Sequence, residues 1–180
     1  MTMKQKRRET EKVLMSGHSR TFTDLQVEII MQKPELFEEY WQIYAALKEP
    51  LSRRAAWVVT HAVMRNPELI TRQHLEELLE IAPEMHTDGG KRNLTKILSL
   101  VSLPDPLLGS IVSLCFNWLD DPTESIAVRA YCMEVLHRIT HTIPELKGEL
   151  AATIENHYPH FSPGLRSKGA KVLSALNKRQ

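Results

Sequence analysis

A basic residue followed by the same run of apolar positions recurs four times along this chain, at Arg53, Lys91, Arg129 and Arg166. The intervals are 91−53=38, 129−91=38 and 166−129=37 residues. A period in this range marks stacked helical hairpins, each too small to bury its own apolar side and so dependent on its neighbours. Three, six, seven and ten residues past the basic residue stand Ala56, Val59, Thr60 and Val63; Leu94, Ile97, Leu98 and Val101; Cys132, Val135, Leu136 and Ile139; Gly169, Val172, Leu173 and Leu176. With a turn of about 100° per residue, these offsets share an arc of about 100° on a helix. The repeat therefore predicts that each unit opens with a helix whose apolar stripe is buried.

A second punctuation falls inside each unit, at Asn66-Pro67-Glu68-Leu69, Pro104-Asp105-Pro106-Leu107 and Ile143-Pro144-Glu145-Leu146. Proline cannot continue the helix before it, and an acid suits the partial positive charge where the next one begins. Each unit thus reads as a hairpin, with second helices over approximately Leu69 to Ala82, Leu107 to Leu119 and Leu146 to Tyr158. Lys33-Pro34-Glu35-Leu36 marks an earlier, degenerate unit behind Arg20. Glu49-Pro50, Asp121-Pro122 and Ser162-Pro163 read as helix starts, Asp121 and Glu124 have capping-box spacing, and Asp88-Gly89-Gly90 reads as a flexible turn. The fold predicted is all-α with about eight or nine helices. Residues 1–19 are expected to form a basic segment, partly disordered or irregular, and 20–180 a single repeat domain.

The stretch Asp121-Pro122, Val128-Arg129-Ala130, Val135-Leu136 and Ile139 resembles the second half of a HEAT repeat, with its Asp-containing turn, Val-Arg start and Ala/Leu ladder. The resemblance covers roughly residues 20 to 180 and extends to small bacterial HEAT-like proteins. It implies an α-α superhelix of the armadillo type, a class that acts mostly as binding platforms. It also implies that the Arg opening each unit pairs with acids in the preceding turn. Physics gives the same expectation, because a cation in the first turns opposes the helix dipole by ~0.3–1 kcal/mol unless an anion lies nearby. Glu49, Asp88, Asp120 and Asp121 are the expected partners, whereas the turn before Arg166 holds no acid.

Opposite the apolar arc, offsets 1, 5, 8 and 12 carry Arg54, Val58, His61 and Arg65; Arg92, Lys96, Ser99 and Leu103; Ala130, Glu134, His137 and His141; Ser167, Lys171, Ser174 and Lys178. Six of these are Lys or Arg, three are His and one is acidic, although the whole chain balances 23 Lys+Arg against 22 Asp+Glu. The acids gather instead on the second helices, at Glu76, Glu77, Glu80, Glu149 and Glu155, and on the earlier unit at Glu38 and Glu39. The HEAT resemblance places the Arg-led helices on the concave side. Arg54, His61, Arg65, Arg92, Lys96, His137, His141, Lys171 and Lys178 are accordingly the candidate partner-binding residues of a non-enzymatic scaffold for an acidic protein. A solvated face that is basic by chance is the competing reading.

Glu134, His137 and His141 share a helical face, but no second Glu-x-x-His supplies further ligands, so no metal site is read. The chain holds no Gly-x-Ser-x-Gly, no phosphate-cradling glycine loop and no Cys-x-x-Cys, which leaves no cofactor or catalytic residue to name. The alternative function is an alkylation-repair type DNA glycosylase, a family that also builds a HEAT-like solenoid. Trp57, with Trp41 and Trp118, would be its stacking aromatics, with Trp57 better suited to edge packing. A formal net charge of +1 ranks a protein partner ahead of nucleic acid. The helix Leu107 to Leu119 carries no charged residue, so Ile111, Phe116 and Trp118 mark either a homo-oligomer contact or a surface buried by neighbouring repeats.

Cys115 and Cys132 sit in apolar runs and read as reduced core thiols, favouring a reducing, cytoplasmic setting. The basic cluster Lys4, Lys6, Arg7 and Arg8 is followed by no apolar export core. No apolar run approaches the ~18 residues that a membrane span requires.

Overall fold

The structure, a computed structural model, describes residues 3–178, with side chains from Gln5 onward. The described residues form ten α-helices and no strand: α1 (Met3–Ser16), α2 (Arg20–Gln32), α3 (Phe37–Ala45), α4 (Leu51–Arg65), α5 (Arg72–Ile81), α6 (Asp88–Leu100), α7 (Asp105–Asp120), α8 (Ile126–Ile139), α9 (Leu146–His157) and α10 (Pro163–Leu176). They gather into two compact units, α1 to α6 and α7 to α10, and the chain passes from one to the other at Ser102–Leu103.

In the first unit α4 is central, packed by α1, α2, α3 and α6. Ala55, Ala56, Val58, Val59, Ala62 and Val63 are all buried along it. Removing a side chain of Val or Leu size from water is worth about 1.5–3 kcal/mol, so this one helix anchors much of the unit. Trp41 and Tyr44 of α3 complete the core. The indole Nε1 of Trp41 donates to Glu77 Oε2 at 2.6 Å, and Tyr40 donates its hydroxyl to Gln26 Oε1 at 2.7 Å. Burial, aided by the charge of Glu39, pushes the Tyr40 phenol up to about 12.

In the second unit α8 takes the central place, packed by α7, α9 and α10, with Val128, Cys132, Met133, Val135, Leu136 and Ile139 inside. Cys115 and Cys132 are buried free thiols. The Cys132 thiol is held well above its usual range by its hydrogen bond with Cys115 and by burial. The seam predicted from the period is buried in both units: Val59, Ile97 and Val135 are fully enclosed and Val172 nearly so.

Within residues 1–19, expected to be partly disordered or irregular, the described residues include a helix. Residues 3–16 are the helix α1, which packs against α3 and α4. Leu14 is fully buried, Thr10 Oγ1 donates to Glu39 Oε2 at 3.1 Å, and Arg7 pairs with Glu11 one turn on. So few buried positions leave too faint a periodic signal to be read beneath the charges.

Several helix boundaries also differ from the sequence reading. Pro34–Leu36 and Pro67–Leu69 form single 3-10 turns. The helix that follows the second of these begins only at Arg72, where Thr71 and His74 make a reciprocal capping box. Asp121-Pro122 lies in the turn before α8, and Asp121 Oδ1 accepts from the Thr123 amide at 2.8 Å, whereas Ser125 caps the helix. Asp88-Gly89-Gly90 is the first turn of α6, capped by Thr87, because one good N-cap outweighs the flexibility of two glycines. The Ser162-Pro163 start stands as read: Ser162 Oγ accepts from the Leu165 amide.

Candidate partner-binding site

The stripe residues of the first unit have three different fates. Arg54 is half-buried and donates through Nη1 to the carbonyls of Leu14 and Met15, at 2.8 and 3.1 Å, closing the C-terminus of α1. Arg65 is ion-paired with Glu28 of α2, and His61 Nδ1 lies 2.8 Å from the Trp57 carbonyl oxygen. Arg92 is exposed and has no partner among the described residues, while Lys96 is half-buried. Val58 and Ser99, expected to face away from the core, are buried. For Val58 the reason is the α1 and α2 packing on α4, which encloses the side that the period alone leaves open.

Arg54 and Arg92 nevertheless converge. Together with His18, Arg53, Trp57, Gly89 and Asn93 they line a cleft of about 330 Å³. α4 supplies Arg53, Arg54 and Trp57, α6 supplies Gly89, Arg92 and Asn93, and the α1–α2 turn supplies His18. No carboxylate lines it; Glu49 reaches Arg53 at 3.8 Å from the preceding turn. Trp57 is half-buried, with its ring edge-on to His61 at a centroid distance of 5.7 Å. Asn93 is 7% exposed, and its side chain has no hydrogen-bond partner among the described residues.

The sequence reading missed His18, Arg53 and Asn93 as contributors. A signal existed for Asn93, a polar residue that falls just two places past Lys91, beside the inward arc. None existed for His18, because turns carry no period. A second, smaller cleft of about 200 Å³ includes Arg53, Glu49, Glu84 and His86 with Tyr44, whose hydroxyl is buried without a partner. Burial raises the Tyr44 phenol far above its usual range.

In the second unit His141 and Lys171 are exposed and His137 half-buried, and Lys178 is exposed. The rings of His137 and His141 meet edge to face at 5.2 Å. Glu134 does not join them: it binds Lys168 Nζ at 2.7 Å, tying α8 to α10. Burial, His141, Lys168 and Lys147, in that order, lower the His137 pKa, and Glu134 opposes them. Among the described residues no group of three His, Cys, Asp or Glu is placed to hold a metal ion.

Arg129, the best-matched basic residue of the repeat, is 6% exposed. Its Nε donates to the Leu119 carbonyl at 2.9 Å, its guanidinium lies 5.0 Å from the Phe161 ring centre, and Nη2 has no partner. Burial lowers its pKa while the charges of Asp121 and Asp120 oppose that shift, but among the described residues no ion pair joins Arg129 to the acids expected as its partners. Arg166, lacking an acid in its turn, donates instead to the Pro159 carbonyl at 2.7 Å. Ile111 is fully buried and so is withdrawn as an oligomer contact; Phe116 and Trp118 are half-buried. No helix of the described residues is long and apolar enough to cross a membrane.

Packed helices led by a basic residue, recurring at a fixed interval and alternating with partner helices, define an α-helical repeat protein. The family model for the HEAT repeat domain matches residues 10–176, and the chain belongs to that family. The match starts within α1, ahead of the residue 20 boundary read from the sequence. No curated protein and no solved structure matches the chain.

Proposed function

We propose that this protein is a non-enzymatic interaction scaffold that binds an acidic protein partner through the basic faces of its Arg-led helices. The observation that carries this reading is the lining of the larger cleft: three arginines and a histidine with no carboxylate among them, in a chain of formal net charge +1. Glu49, outside the lining, lies 3.8 Å from Arg53 and offsets part of this charge; the net positive concavity that remains focuses field lines and raises the encounter rate with an acidic segment. HEAT repeats are helical scaffolds, which agrees with a binding role. Of the stripe residues, Arg92 in the first unit and Lys171 in the second are exposed and not engaged by the chain itself, so they are the residues that a partner would meet first.

The test is titration of a fluorescein-labelled poly-glutamate peptide at low and moderate salt, with duplex DNA in parallel. Saturable, salt-sensitive peptide binding that weakens about tenfold in Arg92→Glu is expected, since one desolvated charge pair exchanged for a repulsive one is worth about 1.4 kcal/mol or more. Preference for duplex DNA over the peptide at the same salt, or peptide binding unaffected by Arg92→Glu, would overturn it. Arg54→Glu is unsuitable, because it removes the cap of α1 along with the charge.

A further inference from the structure

The geometry points to the α4–α6 cleft as the receptor for one phosphorylated side chain of a partner protein, a sharpening of the scaffold reading on which it rests. The first argument is charge. Arg53, Arg54 and Arg92 bring three permanent cations to one opening, with His18 beside them and Glu49, 3.8 Å from Arg53, offsetting one in part. A carboxylate would offset one of these, whereas a phosphomonoester brings about −1.5 to −2 and three strong acceptor oxygens, matching planar guanidinium forks in both charge and donor number.

The second argument is fixation. Arg54 is held by two carbonyls through a single nitrogen, Nη1, which leaves its Nε and Nη2 available. A donor pinned before the ligand arrives loses less side-chain entropy on binding than one that must be ordered. The third argument is Asn93. The residue is 7% exposed, lines the cleft, and its side chain has no hydrogen-bond partner within the described residues. That amide can donate to a ligand oxygen without first giving up a bond within the chain. Trp57 adds an aromatic surface for the carbon stem that carries the phosphate.

The experiment uses the full chain and three labelled peptides of one Gly/Ser-rich sequence, bearing phosphoserine, glutamate or serine at the centre. Polarisation and tryptophan fluorescence are read with wild type, Arg92→Ala, Asn93→Ala, Trp57→Phe and Lys171→Ala. The phosphoserine peptide is expected to bind at least about tenfold tighter than the glutamate one, as befits an added charge-assisted contact. Arg92→Ala and Asn93→Ala weaken it and Lys171→Ala, in the other unit, leaves it unchanged; inorganic phosphate competes. The fluorescence response disappears in Trp57→Phe. Asn93→Ala retains the wild-type melting temperature, because the amide holds nothing in the free protein. A fall in melting temperature would instead mark a structural asparagine and overturn its role.

Equal binding of phosphoserine and glutamate peptides sinks the phosphate reading and leaves the acidic-partner reading standing. Binding of neither peptide sinks both. A single-stranded oligonucleotide that displaces the phosphopeptide at lower concentration than inorganic phosphate does would reassign the cleft to nucleic acid.

Discussion

Two arginines on successive Arg-led helices show how position decides between architecture and availability. Arg54 fixes α1, whereas Arg92 is uncommitted. Arg54→Met keeps the aliphatic stem but leaves the Leu14 and Met15 carbonyls without their charged donor. With partial solvent access softening the loss, the variant should be less stable by about 1 kcal/mol in denaturant titration, with Arg92→Met neutral. His137 supplies a pH signature of its own. Its pKa is lowered in the folded chain, first by burial and then by His141, Lys168 and Lys147. The unfolded chain therefore takes up that proton more readily, so stability is untouched well above the ordinary histidine pKa and falls as pH drops through it. His137→Gln should flatten that part of the stability profile between pH 7 and about pH 5, measured by thermal melts; an unchanged slope would remove His137 as its source.

At the scale of helices, glycine separates exposed positions from packed ones. Gly109 in α7 and Gly148 in α9 face open space, and Gly→Ala at either should stabilise by about 0.4–1 kcal/mol through lower unfolded-state entropy. Gly169 in α10 differs. A Cβ there would lie 3.1 Å from Ile154 Cγ2 and 3.5 Å from Phe161 Cε2, so Gly169→Ala should give no gain or a net loss despite the same helix preference. Gly169 occupies the ladder position held elsewhere by Ala56, Leu94 and Cys132, and its small size lets α10 approach the packing around α9. That ladder is the part of the fold most legible in the sequence, because burial on one face imposes a period. The helix starts were less legible. A Pro-Glu-Leu tripeptide fits both the first turn of an α-helix and an isolated 3-10 turn, and at Pro67 the choice fell to the capping box that Thr71 and His74 form further on. The candidate cleft was half legible: Arg54 and Arg92 follow from the period, while Arg53, Asn93 and His18 join them through tertiary packing that no single helix encodes.

Across the molecule, each unit is arranged around one helix, and this sets where opening should be rarest. α4 buries eight of its residues and α8 seven, whereas α9 buries only Leu150 and Ile154. In a repeat protein the stability of an element follows the interfaces it shares with its immediate neighbours, and α4 and α8 each lie against three or more helices. Amide exchange should therefore be slowest in the middle turns of these two helices, at Val59 and Val135, and fastest in α1 and α9, whose amides open without exposing much apolar surface. Truncating Ile97 to Ala in α6, where the side chain is fully enclosed, should cost about 2–5 kcal/mol and accelerate exchange at Val59, because α6 covers α4. If α1 or α9 proved the slowest to exchange, the central role given to α4 and α8 would be wrong, and the units would owe their stability to their flanking helices.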